Sequence, residues 1–271
     1  INEAFDHLYY YKNGNHNDFA RWFNQPIVNG PLGSESCDTW AEYVARQMVK
    51  SSRNHASILM YSVGNELLEG GGSDQNYPAK IAEICNWFHE EDPYHLPTIG
   101  DNKAKGNDTL AVAMCDEVAK AGGVVGFNYA NRDQYINLRN AHPDWILYGS
   151  ETSSAFHSRD VYWTDGRDND NLLCTDYENE ESRAGWGHSA STAWRIAEAD
   201  EWNLGEFVWT GFDYLGEPTP WNGIGTGSVS QQGPAPRSSY FGIVDTTGFP
   251  KDIYYLYHSL WNDNVRTLHI S

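Results

Sequence analysis

Short apolar runs alternate with segments of helical period along this chain, and this alternation restricts the fold more than any other feature. Residues 58–63 are almost wholly apolar and are followed by Gly64, which is typical of a parallel strand covered on both faces. Between such runs, Ile81, Ile84 and Phe88 recur at the spacing of one helical face. The other predicted strands are 96–99, 124–127, 145–148 and 206–209, preceded by one that ends near Phe5.

The predicted helices lie between these strands. Thr39 and Glu42 have the spacing of a capping box at the start of the first helix. Gly122 stands where the third helix should end, because glycine readily adopts the backbone conformation that terminates helices. The predicted helices are 39–52, 77–91, 110–121, 189–202 and 252–261.

Strands that alternate with helices indicate a parallel sheet, which is either doubly wound or closed into a (β/α)8 TIM barrel. A dinucleotide-binding fold would carry G-x-G-x-x-G after its first strand, and a P-loop fold would carry G-x-x-x-x-G-K. The chain contains neither string, so the barrel is favoured. A barrel needs eight strands and only about six are predicted, so the expected α/β fold is an incomplete TIM barrel.

The charge of the chain argues against one class of partner. It has 18 Lys and Arg against 37 Asp and Glu, a formal charge of −19, whereas binding to a phosphate backbone needs clustered cations. Nucleic acid is therefore not an expected partner. No apolar run is long enough to span a membrane. The four cysteines are scattered without C-x-x-C spacing, which favours neither a zinc site nor a disulfide framework, and the cellular compartment stays open.

Two glutamates follow predicted strands, where a parallel barrel places its active site. Glu66 ends the string SVGNE after strand 58–63, and Glu151 ends YGSE after strand 145–148. Small residues precede each carboxyl group and allow a ligand to approach the backbone. Glycoside hydrolysis requires two such groups, one as an acid and one as a nucleophile or base. Taken alone, each glutamate is more often a solvated surface residue or a charge at a helix N-terminus.

The strings around these glutamates resemble glycoside hydrolase family 2, which contains β-galactosidases, β-glucuronidases and β-mannosidases. RNHASILMYSVGNE (53–66) resembles the acid/base strand of the family, and ILYGSE (146–151) resembles its nucleophile strand. GEFVWTGFDYLGE (205–217) resembles the last barrel strand with its loop. YFGIVDTTGFPKD (240–252) and the helix to Trp261 resemble the segment that closes the barrel. The resemblance extends from about Asn2 to Trp261.

The resemblance implies a role for each matched residue. Glu66 would be the general acid and base, Glu151 the nucleophile, and Asn65 a contact of the sugar 2-hydroxyl. Tyr129, in the string FNY, would orient Glu151, and Trp209 would stack on the sugar, although it could also be a core residue of a barrel strand. Asp101, Asn128 and Glu217 are further candidates for substrate contact, and each could instead cap a helix or pair with an arginine such as Arg132 or Arg237.

The expected function is therefore that of a retaining exo-β-glycosidase of the β-galactosidase type, with a carbohydrate as substrate. It would hydrolyse terminal non-reducing β-D-galactosyl residues through a glycosyl-enzyme intermediate. The chain lacks the Asn-x-Lys-Gly string that grips a substrate carboxylate in β-glucuronidases. The alternatives are a β-glucuronidase, another family 2 glycosidase, or a non-catalytic carbohydrate-binding barrel. No cofactor or metal is expected, since the ten histidines form neither H-x-H nor H-E-x-x-H.

The resemblance also implies that parts of the family's architecture are missing. Residues 1–262 are expected to form the C-terminal three-quarters of the barrel, from the end of its third strand onward, and residues 263–271 to begin a further β domain. The missing first two strands and the N-terminal domains would be partners within a longer enzyme, which could also be a homo-oligomer. Because an open barrel leaves a strand edge and apolar surface in water, we expect the isolated chain to be poorly stable and weakly active or inactive.

Overall fold

The computed structural model describes residues 1–9, 18–69, 73–159, 184–215 and 238–270. Its six parallel strands form one sheet in the order β1 to β6, so that each strand lies beside its neighbour in sequence. This confirms the expected incomplete TIM barrel. The strands are β1 (Asn2–Glu3), β2 (Met60–Asn65), β3 (Leu96–Asp101), β4 (Val124–Asn128), β5 (Leu147–Ser153) and β6 (Asn203–Trp209). The helices are α1 (Trp40–Ser52), α2 (Tyr77–Glu91), α3 (Thr109–Lys120), α4 (Arg132–Ala141), α5 (Ala190–Ala197) and α6 (Asp252–Trp261).

The chain divides into two compact units. The first comprises residues 1–150 with 202–204, and the second comprises residues 151–201 with 205–271. The first unit holds β1 to β4, the start of β5, and helices α1 to α4. The second holds the end of β5, most of β6, and helices α5 and α6. Among the described residues, no helix combines the length and apolar character needed to cross a bilayer.

Parallel pairing in the first unit places the carboxyl ends of three strands side by side. Met60 pairs with Leu96 at the start of β2 and β3, and Asp101 pairs with Phe127 at the ends of β3 and β4. The predicted apolar stripe of α2 packs inward, and its residue Phe88 is fully buried. Residues that directly follow β2, β3 and β4 therefore meet at one edge of the sheet.

The N-terminus of α1 differs in one detail from the predicted capping box. Thr39 is the N-cap, and its hydroxyl oxygen accepts a hydrogen bond from the Glu42 amide at 3.3 Å. The Glu42 carboxylate accepts from the amide of Asp38 at 2.8 Å, rather than from that of Thr39. The same carboxylate pairs with Arg46 at 2.8 Å, and Arg46 also pairs with Glu91 of α2 at 3.1 Å. The cap thus extends into an ion-pair network that joins α1 to α2.

Several predicted boundaries were wrong. Strand β2 begins two residues later than predicted and continues through Gly64 to Asn65, and β5 continues to Ser153. Helix α5 ends at Ala197 rather than at residue 202. Three acidic side chains follow that helix, and negative charge at a helix C-terminus opposes the macrodipole. They are Glu198, Asp200 and Glu201.

Helix α4 was not predicted. Only Tyr135 and Leu138 are buried in it, so its apolar periodicity is too weak to stand out from the sequence. Its N-terminus nevertheless carries a complete capping box, because the Gln134 amide donates to the Asn131 side chain and the Asn131 amide donates to the Gln134 side chain, both at 2.9 Å. This spacing was the signal available in the sequence.

A buried ion pair organises the second unit. Lys251 and Asp213 are almost fully buried, and the lysine Nζ lies 2.7 Å from the carboxylate Oδ2. The Lys251 ammonium also donates to the carbonyl of His157 at 2.7 Å, and the amide of Gly242 donates to Asp213 at 2.7 Å. Burial lowers the pKa of Lys251 and raises that of Asp213, while their mutual attraction opposes both shifts. The pair ties the segment after β6 to the segment before α6.

Candidate active site

Glu66 lies directly after β2, at the edge of the sheet where the strands of the first unit end. Its amide donates to the carbonyl of Gly100 at 2.8 Å, which fixes its backbone to the end of β3. Its φ is 47°, a left-handed conformation that is uncommon for a residue with a long side chain. The carboxyl group is half-buried. The first unit therefore presents the Glu66 carboxyl at the predicted place.

Asn128, the last residue of β4, connects the side chains around Glu66. It is fully buried, and its Nδ2 donates to Glu66 Oε1 at 3.1 Å and to Asn65 Oδ1 at 2.9 Å. Its Oδ1 accepts from the Ser150 hydroxyl of β5 at 2.7 Å. Both ends of the amide are thus engaged, so the orientation of the group is determined by its partners. Glu66, Asn65 and Asn128 are brought together as one cluster.

Gly100 of β3 leaves the space in which this cluster forms. A Cβ at this position would lie 2.7 Å from Asn65 Oδ1, and 3.4 Å from both Asn128 Oδ1 and Ser150 Oγ. The first distance is shorter than side-chain packing permits. The glycine therefore leaves the room in which the Asn65 amide lies beside β3.

Left-handed backbone conformations concentrate at the ends of the strands. Among the described residues, six besides glycine have a positive φ, and four of them are at the carboxyl ends of β2, β4 and β5. These are Glu66, Tyr129, Ser153 and Ser154, with φ of 47°, 55°, 68° and 57°. Such conformations cost about 1–3 kcal/mol each and cluster at functional sites. Tyr129 is buried and belongs to this set.

Asp101 accepts hydrogen bonds from the backbone of the turn that follows β3, and it is not the N-cap of a helix. It is buried, and its Oδ1 accepts from the amides of Lys103 at 2.8 Å and Ala104 at 2.6 Å. These bonds begin the 3-10 turn Ala104–Gly106 that follows β3. Burial raises the pKa of this carboxyl, and the two backbone donors oppose that shift. The geometry explains Asp101 without a substrate.

Glu151 belongs to the second unit and lies within β5, not after it as predicted. Just beyond it, the amide of Ser154 donates to the carbonyl of Trp209 at 3.3 Å. Trp209 is the last residue of β6, and it packs against a cluster that contains Phe156 and Phe241. The second unit therefore brings Trp209 to the end of the strand that carries Glu151.

Trp209 has aromatic neighbours that restrict its position. Tyr214 makes an edge contact with its ring, with centroids 5.7 Å apart and planes at 77°, and Tyr240 packs against the same cluster. Trp209 is only half-buried, so one part of the indole belongs to the core of the second unit and another part is open to solvent. Both interpretations of this tryptophan, as a sugar platform and as a core residue, are compatible with this position.

Glu206 of β6 has an unusual environment that the sequence did not indicate. The hydroxyl of Thr152 donates to its Oε2 at 2.6 Å, whereas its buried Oε1 has no partner among the described residues. Burial raises the pKa of this carboxyl to about 7. It lines a cavity of about 510 Å³ together with Phe207, Val208 and Ile243 of the same unit. Burial therefore makes Glu206 easier to protonate than an exposed glutamate.

Replacing Glu206 with glutamine is expected to flatten the pH dependence of stability. The folded pKa of about 7 exceeds the unfolded value of 4.5, so the native state binds the extra proton and stability falls as pH rises between these values. At pH 8 the free energy of unfolding of the variant should be higher by about 1–2 kcal/mol. This is less than the full pKa difference would give, because β6 is half-exposed and solvent screens the charge. Urea unfolding at pH 5 and pH 8 measures the effect. The matched control is Glu201→Gln, which removes an exposed carboxylate of the same unit. If the stability of Glu206→Gln changed between pH 5 and pH 8 as much as that of the unchanged protein, the raised pKa of Glu206 would be contradicted.

Two contributors to the cluster around Glu66 were not predicted. Ser150 was noted only as a small residue before Glu151, and Lys105 was not singled out. The Lys105 ammonium donates to the backbone carbonyl of Asn128. Nothing in the local sequence of either residue distinguishes it, because the contacts depend on the pairing of β3, β4 and β5. Glu217 and Arg237 lie outside the described residues.

The chain is similar to proteins of one glycoside hydrolase family. Residues 31–140 match the family described as "Glycosyl hydrolases family 2, TIM barrel domain". The chain is 30% identical over 313 aligned positions to the β-galactosidase BoGH2A of Bacteroides ovatus, and the alignment covers 100% of this chain and 32% of that protein. The chain thus spans about a third or less of the length of the curated relatives that it matches.

Solved structures share the fold. A Bacteroides uniformis β-glucuronidase superposes with a TM-score of 0.62 at 18% identity, covering 90% of this chain and 28% of that one. A β-glycosidase from Bacteroides vulgatus superposes with a TM-score of 0.62 at 23% identity, covering 90% of this chain and 29% of that one. At these identities the likeness is evidence for the barrel architecture alone.

Proposed function

The chain belongs to glycoside hydrolase family 2, and we propose that it carries the catalytic residues of a retaining exo-β-galactosidase. In this proposal the enzyme hydrolyses terminal non-reducing β-D-galactosyl residues by double displacement. The observation that carries it is the position of Glu66, whose carboxyl stands at the end of a parallel barrel strand and accepts a hydrogen bond from buried Asn128 at 3.1 Å. Because the chain spans 32% of BoGH2A, the complete activity is proposed for a longer enzyme that contains it.

The proposed reaction has two steps. Glu66 donates its proton to the glycosidic oxygen while the Glu151 carboxylate attacks the anomeric carbon, and the C–O bond electrons leave with the aglycone. Glu66 then takes a proton from water, which attacks the same carbon and releases Glu151. A retaining mechanism requires the two carboxyl groups to be about 5–5.5 Å apart across the sugar.

Asn65 is proposed to contact the sugar 2-hydroxyl. Its Oδ1 accepts from Asn128 at 2.9 Å, and its Nδ2 has no acceptor among the described residues. An amide whose oxygen is held by the protein presents its N–H groups in one direction. This polarity supports donation to a hydroxyl oxygen of a substrate, which would hold the sugar ring in a fixed orientation.

Tyr129 and Trp209 are proposed to serve the nucleophile side of the site. Tyr129 would donate a hydrogen bond from its phenolic O–H to the Glu151 carboxylate, which would favour the ionised form of the nucleophile. Trp209 would stack on the apolar face of the sugar, supported by its half-buried position and its edge contact with Tyr214 at 5.7 Å. Asp101 would act indirectly, because its carboxylate accepts from the amides of Lys103 and Ala104 and so fixes the turn that follows β3.

Specificity for galactose rests on two observations. The chain lacks Asn-x-Lys-Gly, and it is 30% identical to a protein named as a β-galactosidase. The fold is shared with a β-glucuronidase, so that activity is the second candidate. It would need a cation that pairs with the carboxylate of the substrate.

A panel of p-nitrophenyl glycosides tests the function. We expect kcat/KM for the β-D-galactoside to exceed that for the β-D-glucuronide by at least ~10²-fold, because an unpaired substrate carboxylate is costly to bury. NMR of the first product should show the β-anomer. Faster turnover of the glucuronide would favour the second candidate, the α-anomer would exclude the retaining mechanism, and no turnover of any member would support the non-catalytic alternative.

A further inference from the structure

Lys105 lies in the 3-10 turn Ala104–Gly106, which directly follows β3. The turn is fixed at its start by buried Asp101, whose carboxylate oxygen accepts from the amides of Lys103 at 2.8 Å and Ala104 at 2.6 Å. From this turn the half-buried Lys105 side chain reaches the neighbouring strand β4, where its ammonium donates to the backbone carbonyl of Asn128. The contact joins the carboxyl ends of two adjacent barrel strands.

The carbonyl that Lys105 binds belongs to the residue that holds Glu66. Asn128 is fully buried, and a hydrogen bond from an ammonium to a carbonyl in such surroundings is stronger than one between neutral groups. The next residue, Tyr129, has a φ of 55°. The lysine thus binds the peptide group at which the strand turns into a left-handed conformation, and it resists rotation of that peptide group.

The side chain of Asn128 transmits this restraint. Its Nδ2 reaches Glu66 Oε1 at 3.1 Å and Asn65 Oδ1 at 2.9 Å, and its Oδ1 accepts from Ser150 at 2.7 Å. A planar amide that serves three partners tolerates little displacement of its own backbone. A shift at the Asn128 carbonyl therefore reorients the carboxyl of Glu66, which has to point its proton at the glycosidic oxygen.

We propose that Lys105 is a positioning residue for proton transfer, acting on Glu66 through Asn128. The inference rests on the proposed function, because it assigns Lys105 to the step in which Glu66 protonates the leaving oxygen. Lys105 itself exchanges no atom with the substrate. Small errors in the placement of a reacting group cost up to ~10²-fold in rate. Loss of the contact between Lys105 and Asn128 should therefore slow the step in which Glu66 protonates the leaving oxygen.

The test compares aryl β-D-galactosides whose phenols differ in acidity, using the enzyme that contains this chain. With Lys105→Met, kcat/KM for the phenyl and p-methoxyphenyl galactosides should fall ~10- to 100-fold, whereas that for the 2,4-dinitrophenyl galactoside should fall less than ~3-fold. A phenol that leaves as a stable anion needs little protonation, so its galactoside bypasses Glu66. Lys105→Arg, which keeps a cationic donor, should recover most of the loss.

The matched control is Lys120→Met, which removes an exposed lysine paired with Glu117 on α3 and should leave every substrate unaffected. An equal loss for all leaving groups in Lys105→Met would mean that Lys105 is merely structural, and unchanged rates would also overturn the proposal. Should Lys105→Met fail to fold, Lys105→Gln, which replaces the ammonium with a shorter neutral donor, is measured instead, and the same dependence of the loss on the leaving group is expected. Failure of the proposed function is separate, because it would appear as an absence of leaving-group dependence in Glu66→Gly itself.

Discussion

Replacing Glu151 with glycine is expected to lower kcat/KM for an aryl β-D-galactoside by about 10⁴-fold or more, equivalent to over ~5 kcal/mol of transition-state stabilisation. Without the carboxylate, no group can form the glycosyl-enzyme intermediate. The glycine leaves a space in which azide can bind and attack the anomeric carbon from the α face. Added azide should therefore restore turnover, and NMR of the product should show α-galactosyl azide, which the variant cannot hydrolyse.

The control for this experiment is Glu201→Gly, which removes an exposed glutamate of the same unit outside β5 and should retain full activity. The decisive outcome is the stereochemistry of the azide product. If Glu151→Gly were not rescued and Glu66→Gly gave the α-azide instead, the roles of the two glutamates would be reversed. A variant with unchanged kcat/KM would remove Glu151 from the mechanism.

The sequence predicted the elements whose own residues bury a periodic apolar face. Helix α2 has the predicted bounds because Ile81, Ile84 and Phe88 are all fully buried along one stripe. Helix α4 was missed because it buries only Tyr135 and Leu138. Strand β5 was predicted too short, since Ser150, Glu151 and Thr152 are polar residues that no apolar pattern would assign to a strand. Strand ends that carry function are polar, and for this reason they are the hardest boundaries to predict.

In the candidate site, too, some features could be predicted from the sequence and others could not. Glu66 could be predicted because the residues next to it in sequence form a recognisable motif. The hydrogen bonds around it could not, because Asn128 is 62 positions from Glu66, and Lys105 is 23 and Ser150 is 22 positions from Asn128. Only the register of β3, β4 and β5 brings these side chains together. Sequence reasoning therefore located Glu66 at the end of its strand, and the structure adds the residues that form hydrogen bonds around it.

Replacing Glu66 with glycine should separate the two steps of the proposed reaction. For a phenyl galactoside, which needs an acid to expel its leaving group, kcat/KM should fall about 10²- to 10⁴-fold, the usual contribution of general acid catalysis. For the 2,4-dinitrophenyl galactoside the first step should be nearly unaffected. The glycosyl-enzyme should then accumulate and the phenol should appear in a burst, because Glu66 is no longer present as the base that activates water for the second step.

Azide distinguishes this variant from Glu151→Gly. It needs no base, so it should attack the intermediate held by Glu151 and give the β-azide, with the configuration of the substrate retained. The control is Glu35→Gly, which removes an exposed glutamate of the same unit whose carboxylate accepts from the amide of the nearby Gly33 at 2.8 Å. A Glu66→Gly variant that lost activity equally for every leaving group would show that Glu66 is not the acid, because only proton donation makes the loss depend on the acidity of the phenol.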